Sequence, residues 1–375
     1  MKILILVDSF KDSLSAIDVS KNIKKGILKV NNEIEVKELP LADGGEGTME
    51  ILINNLNGEI VKLDVIGPLG EKVNASYGII NGKIAIIEMA EAAGLQLLKQ
   101  DKRNPLITTT YGVGELILDA LEKGIRKFII AIGGSSTNDG GVGMAAALGI
   151  KFLNKELKEI ELNGKGLKDL FKININDIDN RIKDCNFQVA CDVNNVLCGV
   201  NGAAYVYAKQ KGATNEMIET LDNNLMNYSK IIKKDLDIDI LNVEGAGAAG
   251  GLGAGLIAFL NGHLESGFEI ISSRLNLENE IKNCDLVITG EGKIDFQSLN
   301  GKVPIGVAKL AKKYSKKVIV IAGSVEELTD EIYDIGINSV FSIINKPMKL
   351  EEALNKEIAE KGLMKLTEQI IRLIN

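Results

Sequence analysis

The chain has 375 residues, 45% hydrophobic and 25% charged, with 51 acidic side chains against 44 Lys and Arg for a formal net charge of −7. That apolar content excludes disorder and the length suits about two domains, while the acidic balance, zero Trp and 4% aromatics exclude the basic, ring-rich surface that nucleic acid requires. No apolar run approaches the roughly 18 residues of a membrane helix, so a soluble, cytoplasmic protein without a membrane partner is expected.

Strand-like runs alternate with helix-like ones, and many strand runs are apolar throughout, as in strands covered on both faces. Ile3 to Val7 is the first, followed by a helix from about Ser15 to Leu28, a strand over Glu35 to Leu39 and a helix from about Glu46 to Leu56. Residues 59 to 89 read as antiparallel strands turned at Pro68-Leu69-Gly70 and at Asn81-Gly82, the latter a pair in which both positions tolerate φ > 0. Next comes a helix with Val113, Leu116, Ile117, Ala120 and Leu121 on one face, stopped by Lys123-Gly124. The strand Phe128 to Ile132, a Gly-rich turn, a helix to Leu148 and a strand over Gln188 to Cys191 follow. Leu286 to Thr289, Val318 to Ala322 and Ser339 to Ile343 are the last strands, with helices over Val303 to Tyr314 and at the end.

The terminal segments share one grammar and form one sheet. The expected fold is α/β: a Rossmann-like, doubly wound parallel-sheet domain formed by both termini, residues 1–64 plus 283–375, with a second α/β domain, residues 65–282, inserted into it. The active site is expected in the cleft of that pair.

Four cysteines without a C-x-x-C pair make neither a disulfide scaffold nor a zinc site. The one histidine, His263, excludes two-histidine metal sites, and its place after an apolar run reads as a helix end.

In an open parallel sheet, ligands bind at the carboxyl ends of strands, where loops and helix N-termini converge. Here those ends carry Asp8-Ser9-Phe10-Lys11, Ala42-Asp43-Gly44-Gly45-Glu46-Gly47-Thr48, Asp192-Val193-Asn194 and Gly290-Glu291-Gly292-Lys293-Ile294-Asp295, with Gly301-Lys302 beyond. The loop Gly133-Gly134-Ser135-Ser136-Thr137-Asn138-Asp139-Gly140-Gly141 completes the set. Such residues also serve as caps and turns. Their company with Lys11, Lys293 and Lys302 suits a metal together with phosphates.

Glycine is in excess, 39 residues or about a tenth of the chain against a usual 7% or so. Two stretches could bring backbone N–H groups to an anion at a helix start: Gly133 to Gly143, and Gly245 to Gly255. A Walker A loop is absent, since Val303 follows Lys302. Gly245-x-Gly247-x-x-Gly250 matches the dinucleotide fingerprint formally, with Ile238 to Val243 as its strand, but that run is partly polar and no strand ending in an acid follows about 20 residues on. Glycine-mediated helix packing competes with anion contact there.

Together the strings DSFKDSLSA (8–16), LADGGEGT (41–48), IEMAEAAGL (87–95), NPLITTTYGVGELI (104–117), GGSSTNDGGVGM (133–144), ACDVNNVLCG (190–199), QKGA (210–213), GAGAAGGLGAGL (245–256) and ITGEGKIDFQSLNGK (288–302) resemble one family, the bacterial type I glycerate kinases. They occur in that family's order and span almost the whole chain. Departures are small: Asp12 stands where the family usually has Gly, Ser136 for Ala, Glu244 for Pro, Asn195-Val196 where Asn-Pro is common, Lys293 for Arg and Ser298 for Thr.

The resemblance implies transfer of the γ-phosphoryl group of ATP to a hydroxyl of D-glycerate with Mg²⁺, the 2-position favoured and the 3-position open. On that footing Mg²⁺ falls to a subset of Asp43, Asp192, Glu291 and Asp295, whose oxygen ligands suit it. Lys11 and Lys302 neutralise the glycerate carboxylate or the transferring phosphoryl group, and Asp192 is favoured over Asp43 as general base. Asp8, Ser9, Ser135, Thr137, Asn138 and Asp139 are the candidate glycerate contacts. Gly133, Gly134, Gly245, Gly247, Gly250, Gly290 and Gly292 are the candidate nucleotide contacts. A kinase of another small hydroxyacid, an NAD-dependent oxidoreductase and a non-catalytic binding protein are the alternatives, and self-association is left open.

Overall fold

The computed structural model describes residues 1–294, 302–326 and 329–374. The chain is mixed α/β and divides into two compact units, Met1–Asp43 with Phe268–Asn375, and Gly44–Gly267.

The terminal unit is built on a five-stranded parallel sheet in the order Ser339–Ser342, Lys317–Val325, Leu286–Ile294, Lys2–Val7, Glu35–Glu38. Side chains alternate across a strand, so Ile3, Ile5 and Val7 share one face. There they pack with Val19, Ile23 and Ile27 of the helix Ala16–Val30 and with Leu363, Ile370 and Ile371 of the helix Lys356–Ile374. Leu4 and Leu6, equally buried, face the other side, where the helix Val303–Lys313 lies on the sheet. Burial on both faces is the reason these strands read as unbroken apolar runs.

The middle unit holds a six-stranded sheet in the order His263–Glu265, Asn186–Ala190, Lys127–Ala131, Ile84–Glu88, Lys72–Ile80, Glu59–Ile66. The first four strands are parallel and the last two pairings antiparallel. Asn81 and Gly82 adopt φ of 52° and 61° and close the hairpin that pairs Ile80 with Ile84, as the Asn-Gly pair predicts. Val113, Leu116, Ile117, Ala120 and Leu121 are buried on the helix Tyr111–Glu122, which ends at Lys123 as expected. A separate two-stranded ladder joins Lys151–Leu153 to Lys172–Asn174.

The units divide at 43/44 and 267/268, not at the expected 64/65 and 282/283. The helix Thr48–Leu56 lies on the middle sheet: a Cβ at Gly78 would come 2.7 Å from Ile53 Cδ1 and 3.1 Å from Met49 Cγ. Phe268, conversely, packs on Gly306 of the terminal unit.

The two glycine-rich stretches interlock. Gly140 N–H donates to Gly250 O at 3.0 Å, and a Cβ at Gly250 would fall 2.0 Å from Thr137 O and 2.6 Å from Asn138 Cα. Gly250 has φ +69°, and with Ala249 and Gly251 it interrupts the helix Ala248–Leu260. An alanine there meets both a backbone conformation L residues avoid and a hard contact. Gly250→Ala is expected to cost roughly 2–4 kcal/mol, read as a fall in urea midpoint with the slope unchanged; a loss below about 0.5 kcal/mol would show that the loops part easily.

Candidate active site

The terminal unit gathers charged groups at the carboxyl ends of its first and third chain-order strands. Phe10 and Leu14 are buried and exchange two backbone hydrogen bonds of 2.9 Å. That small clasp turns Lys11 and Asp12 outward at its tip. Asp12 has φ 64°, the left-handed region in which glycine is at ease and Asp is one of the few tolerated alternatives. Ser15 closes the segment, its Oγ accepting from Asp18 N–H at 3.1 Å to cap the first helix.

Around the clasp, Lys11 Nζ lies 3.5 Å from Asp43 Oδ2 and Lys302 Nζ lies 3.5 Å from Glu291 Oε2. Asp8 is buried between these pairs, and its Oδ1 accepts from Ser9 N–H at 2.6 Å. Burial, then repulsion from Asp43, pushes the Asp8 carboxyl up to about 7 against the pull of the Ser9 N–H and Lys11. Lys11 moves up as well, chiefly because Asp43 stabilises its charge, so it stays an ammonium at neutral pH. Gly292 passes close to the clasp, a Cβ there standing 3.2 Å from Phe10 Cα, and Gly290 has no room for a side chain beside Ile321 O, 2.0 Å away. Lys293 pairs with Glu326 at 2.6 Å. Asp295 lies outside the described residues.

Asp8, Lys11, Asp43, Glu291, Lys293 and Lys302 line one cavity of about 280 Å³, together with Gly323, Ser324 and a cluster of aliphatic side chains. Among the described residues no group of three His, Cys, Asp or Glu side chains converges to hold a metal alone. Mg²⁺ takes one or two carboxylates and completes its shell with water and phosphate oxygens, so the donor set here fits a metal that arrives with a polyphosphate.

The middle unit gathers a second set. A Cβ at Gly44 would come 2.9 Å from Ala190 Cβ and 3.4 Å from Asp192 Oδ2, and one at Gly133 would come 3.0 Å from Gly45 Cα. The segment holding Gly44 and Gly45 thus lies tightly against Ala190 and Asp192 on one side and Gly133 on the other, closeness that its glycines permit. Asp192 is exposed at its strand end, its Oδ1 accepting from Gly267 N–H at 3.1 Å. Glu88, at the end of Ile84–Glu88, two strands away in the same sheet, is buried and accepts from Met49 N–H at 2.7 Å.

Asp139 is fully buried and binds the loop it belongs to: it accepts from Thr110 N–H and Oγ1, both 2.8 Å, from Gly141 N–H at 3.0 Å and from Gly143 N–H at 3.3 Å. Burial pushes its carboxyl up while those donors hold it down. Thr137 and Asn138 are also fully buried, and the Asn138 amide has no hydrogen-bond partner. Ser135 Oγ lies 3.1 Å from Thr137 Oγ1.

Sequence reasoning passed over Glu88 and Lys211, although both stand inside the quoted strings IEMAEAAGL and QKGA. Lys211 is buried, donating to Thr137 O at 2.6 Å and to Ser135 Oγ at 3.2 Å. Desolvation pulls its ammonium down to about 7. Burial likewise pushes Glu88 up to about 7 from 4.5. The folded chain keeps the Glu88 proton where the unfolded chain has released it, so this group's stabilisation is complete below about pH 4.5 and is lost as pH rises to about 7. Glu88→Gln should remove a pH-dependent fall of up to about 3 kcal/mol. Urea unfolding of both forms at pH 5 and pH 8 reads it; equal pH dependence would place the Glu88 ionisation near that of an ordinary carboxylate.

The dinucleotide reading loses its frame, because residues 238–243 form no strand. Gly245 packs near Leu264 and Cys191, Gly247 against Val196 O, and Gly250 against Thr137, so all three glycines sit where a side chain would meet a close neighbour. His263 opens a short edge strand and is exposed. The four cysteines are free thiols, and no described helix is long and apolar enough to cross a membrane.

Lysines and carboxylates at the strand ends of an α/β chain suit phosphorylated or anionic small molecules, which is the class of ligand this site defines. The comparisons specify which. Residues 3–375 match the model of the Glycerate kinase family. The chain is 52% identical to Glycerate 2-kinase of Escherichia coli over 354 residues, 94% of this chain and 93% of that one. It is 45% identical to a Glycerate kinase of Haemophilus influenzae over 375 residues, 100% and 99% of the two chains. A crystal structure assigned to a glycerate kinase 2 from Salmonella typhimurium superposes with a TM-score of 0.89 at 46% identity, covering 100% of this chain and 98% of that one. The chain therefore belongs to the glycerate kinase family, and it is an enzyme of the phosphotransferase class.

Proposed function

We propose that the enzyme transfers the γ-phosphoryl group of ATP to D-glycerate, of the type I class, with the 2-hydroxyl as acceptor and Mg²⁺ as the accompanying metal. One observation carries this reading: Asp8, Asp43 and Glu291 share a cavity with Lys11 and Lys302, a mixture that suits a metal-bound polyphosphate better than either charge alone.

The protein is net acidic while both substrates are anions, so local ammonium groups must offset the global field. Lys11 and Lys302 neutralise phosphate oxygens, and the Ser9 N–H and Gly292 flank them. Asp43 and Glu291 would hold Mg²⁺, with Asp192 and Asp295 as further candidates; when bound, the metal neutralises charge on the phosphates and aligns them. Phosphoryl transfer asks mainly for in-line placement and charge stabilisation, and the remaining requirement is an acceptor for the alcohol proton. Asp192 takes that proton on its carboxylate, with Asp43 as the second candidate. In the loop 133–141, Ser135 contacts the acceptor's carboxylate, while Asp139 and Lys211 hold the loop's shape and Thr137 and Asn138 act through it. ATP as donor suits a cytoplasmic reaction.

Phosphorus NMR of the product tests the proposal. D-glycerate with Mg-ATP should give a phosphomonoester whose signal splits into a doublet, from the single proton on the 2-carbon. A triplet moves the reaction to the 3-hydroxyl, and no new monoester sinks the reading.

A further inference from the structure

We infer that the cavity of the terminal unit has a base end: the adenine of ATP rests on Ile343, Ile344, Leu350 and Leu354 while its phosphates lie toward Lys11 and Lys302. This deepens, and rests on, the reading of the enzyme as an ATP-dependent kinase.

The cavity is chemically lopsided. Asp8, Lys11, Asp43, Glu291 and Lys302 supply one part of its wall, and the aliphatic residues just beyond the edge strand Ser339–Ser342 supply another. Gly323 and Ser324, from the neighbouring strand, also border the space. A three-carbon hydroxyacid is polar over its whole surface and gains nothing from aliphatic walls. Inorganic polyphosphate gains nothing either. A nucleoside triphosphate is the substrate whose two halves differ in the same sense as the two kinds of wall, an aromatic ring at one end and concentrated negative charge at the other.

Exposure agrees. Leu350 is 73% and Ile344 36% exposed. Single exposed apolar residues are ordinary, but these two border the same cavity as Ile343 and Leu354. A flat ring placed there removes their surface from water, and aliphatic walls accept a base by its faces without needing a hydrogen-bond code.

The chain contains no Trp, so Leu350→Trp installs a single indole at the proposed base end, at an exposed position that does not threaten the fold. Mg-ATP is expected to quench its fluorescence saturably, and Mg-tripolyphosphate, which has the charge but no ring, to leave it unchanged. Leu354→Asp is expected to raise the Kd for Mg-ATP roughly tenfold or more while the calorimetric affinity for Mg-tripolyphosphate holds, which also shows that the variant is folded. If the wild type binds Mg-ATP by calorimetry but the indole is silent and Leu354→Asp binds normally, the base lies elsewhere and the inference is overturned with the kinase reading intact. If the wild type binds neither ATP nor ADP, the kinase reading fails and takes the base end with it.

Discussion

Asp192→Asn should lower kcat by roughly 10²–10⁴-fold, the range for losing a general base, and leave the affinity for Mg-ATP unchanged. The substitution is close to isosteric. An asparagine oxygen can still accept from Gly267 N–H, as Asp192 Oδ1 does at 3.1 Å, so the strand end keeps its geometry and only the basic, charged group is removed. Asp192 is exposed at the end of Asn186–Ala190, where a substrate hydroxyl has access to it. If turnover stays near normal with Mg-ATP affinity intact, the proton acceptor is another group, and Asp43→Asn becomes the variant to measure.

Lys11→Ala should cost about 10²–10³-fold in kcat/KM, comparable to removing one preorganised donor from a developing charge. The side chain is 73% exposed and only 3.5 Å from Asp43, an ion pair that contributes little to stability in that setting. The fold should therefore barely change, and Tm serves as the control. Asp43 raises the Lys11 pKa, so the ammonium persists across the neutral range and its role should add no pH dependence there. An effect below about threefold on kcat/KM, small against the loss expected of such a donor, would return Lys11 to the status of a surface lysine.

Most of the terminal sheet was legible because its strands are buried on both faces: Ile3 to Val7, Leu286 to Ile288 and Val318 to Ala322 are unbroken apolar runs, and all three became adjacent strands. The hairpin at Asn81-Gly82 was legible because few pairs tolerate two positive φ values. The unit boundaries were not, since nothing in residues 46–56 says which sheet will receive Ile53 and Met49. The glycine runs carry a role that no single stretch displays. Gly250 reads as a phosphate-loop residue in one dimension, and only the approach of Thr137 O, 113 positions earlier in the chain, shows that two backbones also pack closely there.

The candidate site divides along the same line. Strand-end carboxylates and lysines could be read because an open α/β sheet concentrates ligands there, and Lys11, Asp43, Glu291 and Lys302 do border one cavity. Glu88 and Lys211 could not, because their interest comes from burial, and an acid inside an apolar string or a lysine before a glycine carries no sign of the desolvation it will meet. Asp139 shows the reverse: it reads as a ligand-facing acid, yet all of its described hydrogen bonds tie down its own loop and the neighbouring Thr110.

The most direct test of the central claim is steady-state ADP release by the purified enzyme, followed over D-glycerate, lactate, tartronate and glycerol with and without Mg²⁺. The account predicts rapid ADP formation that depends on D-glycerate, stops on chelation and is weak with glycerol, which lacks the carboxylate. Absence of glycerate-dependent ADP release, or turnover of NADH with a hydroxyacid while ATP is untouched, would contradict it.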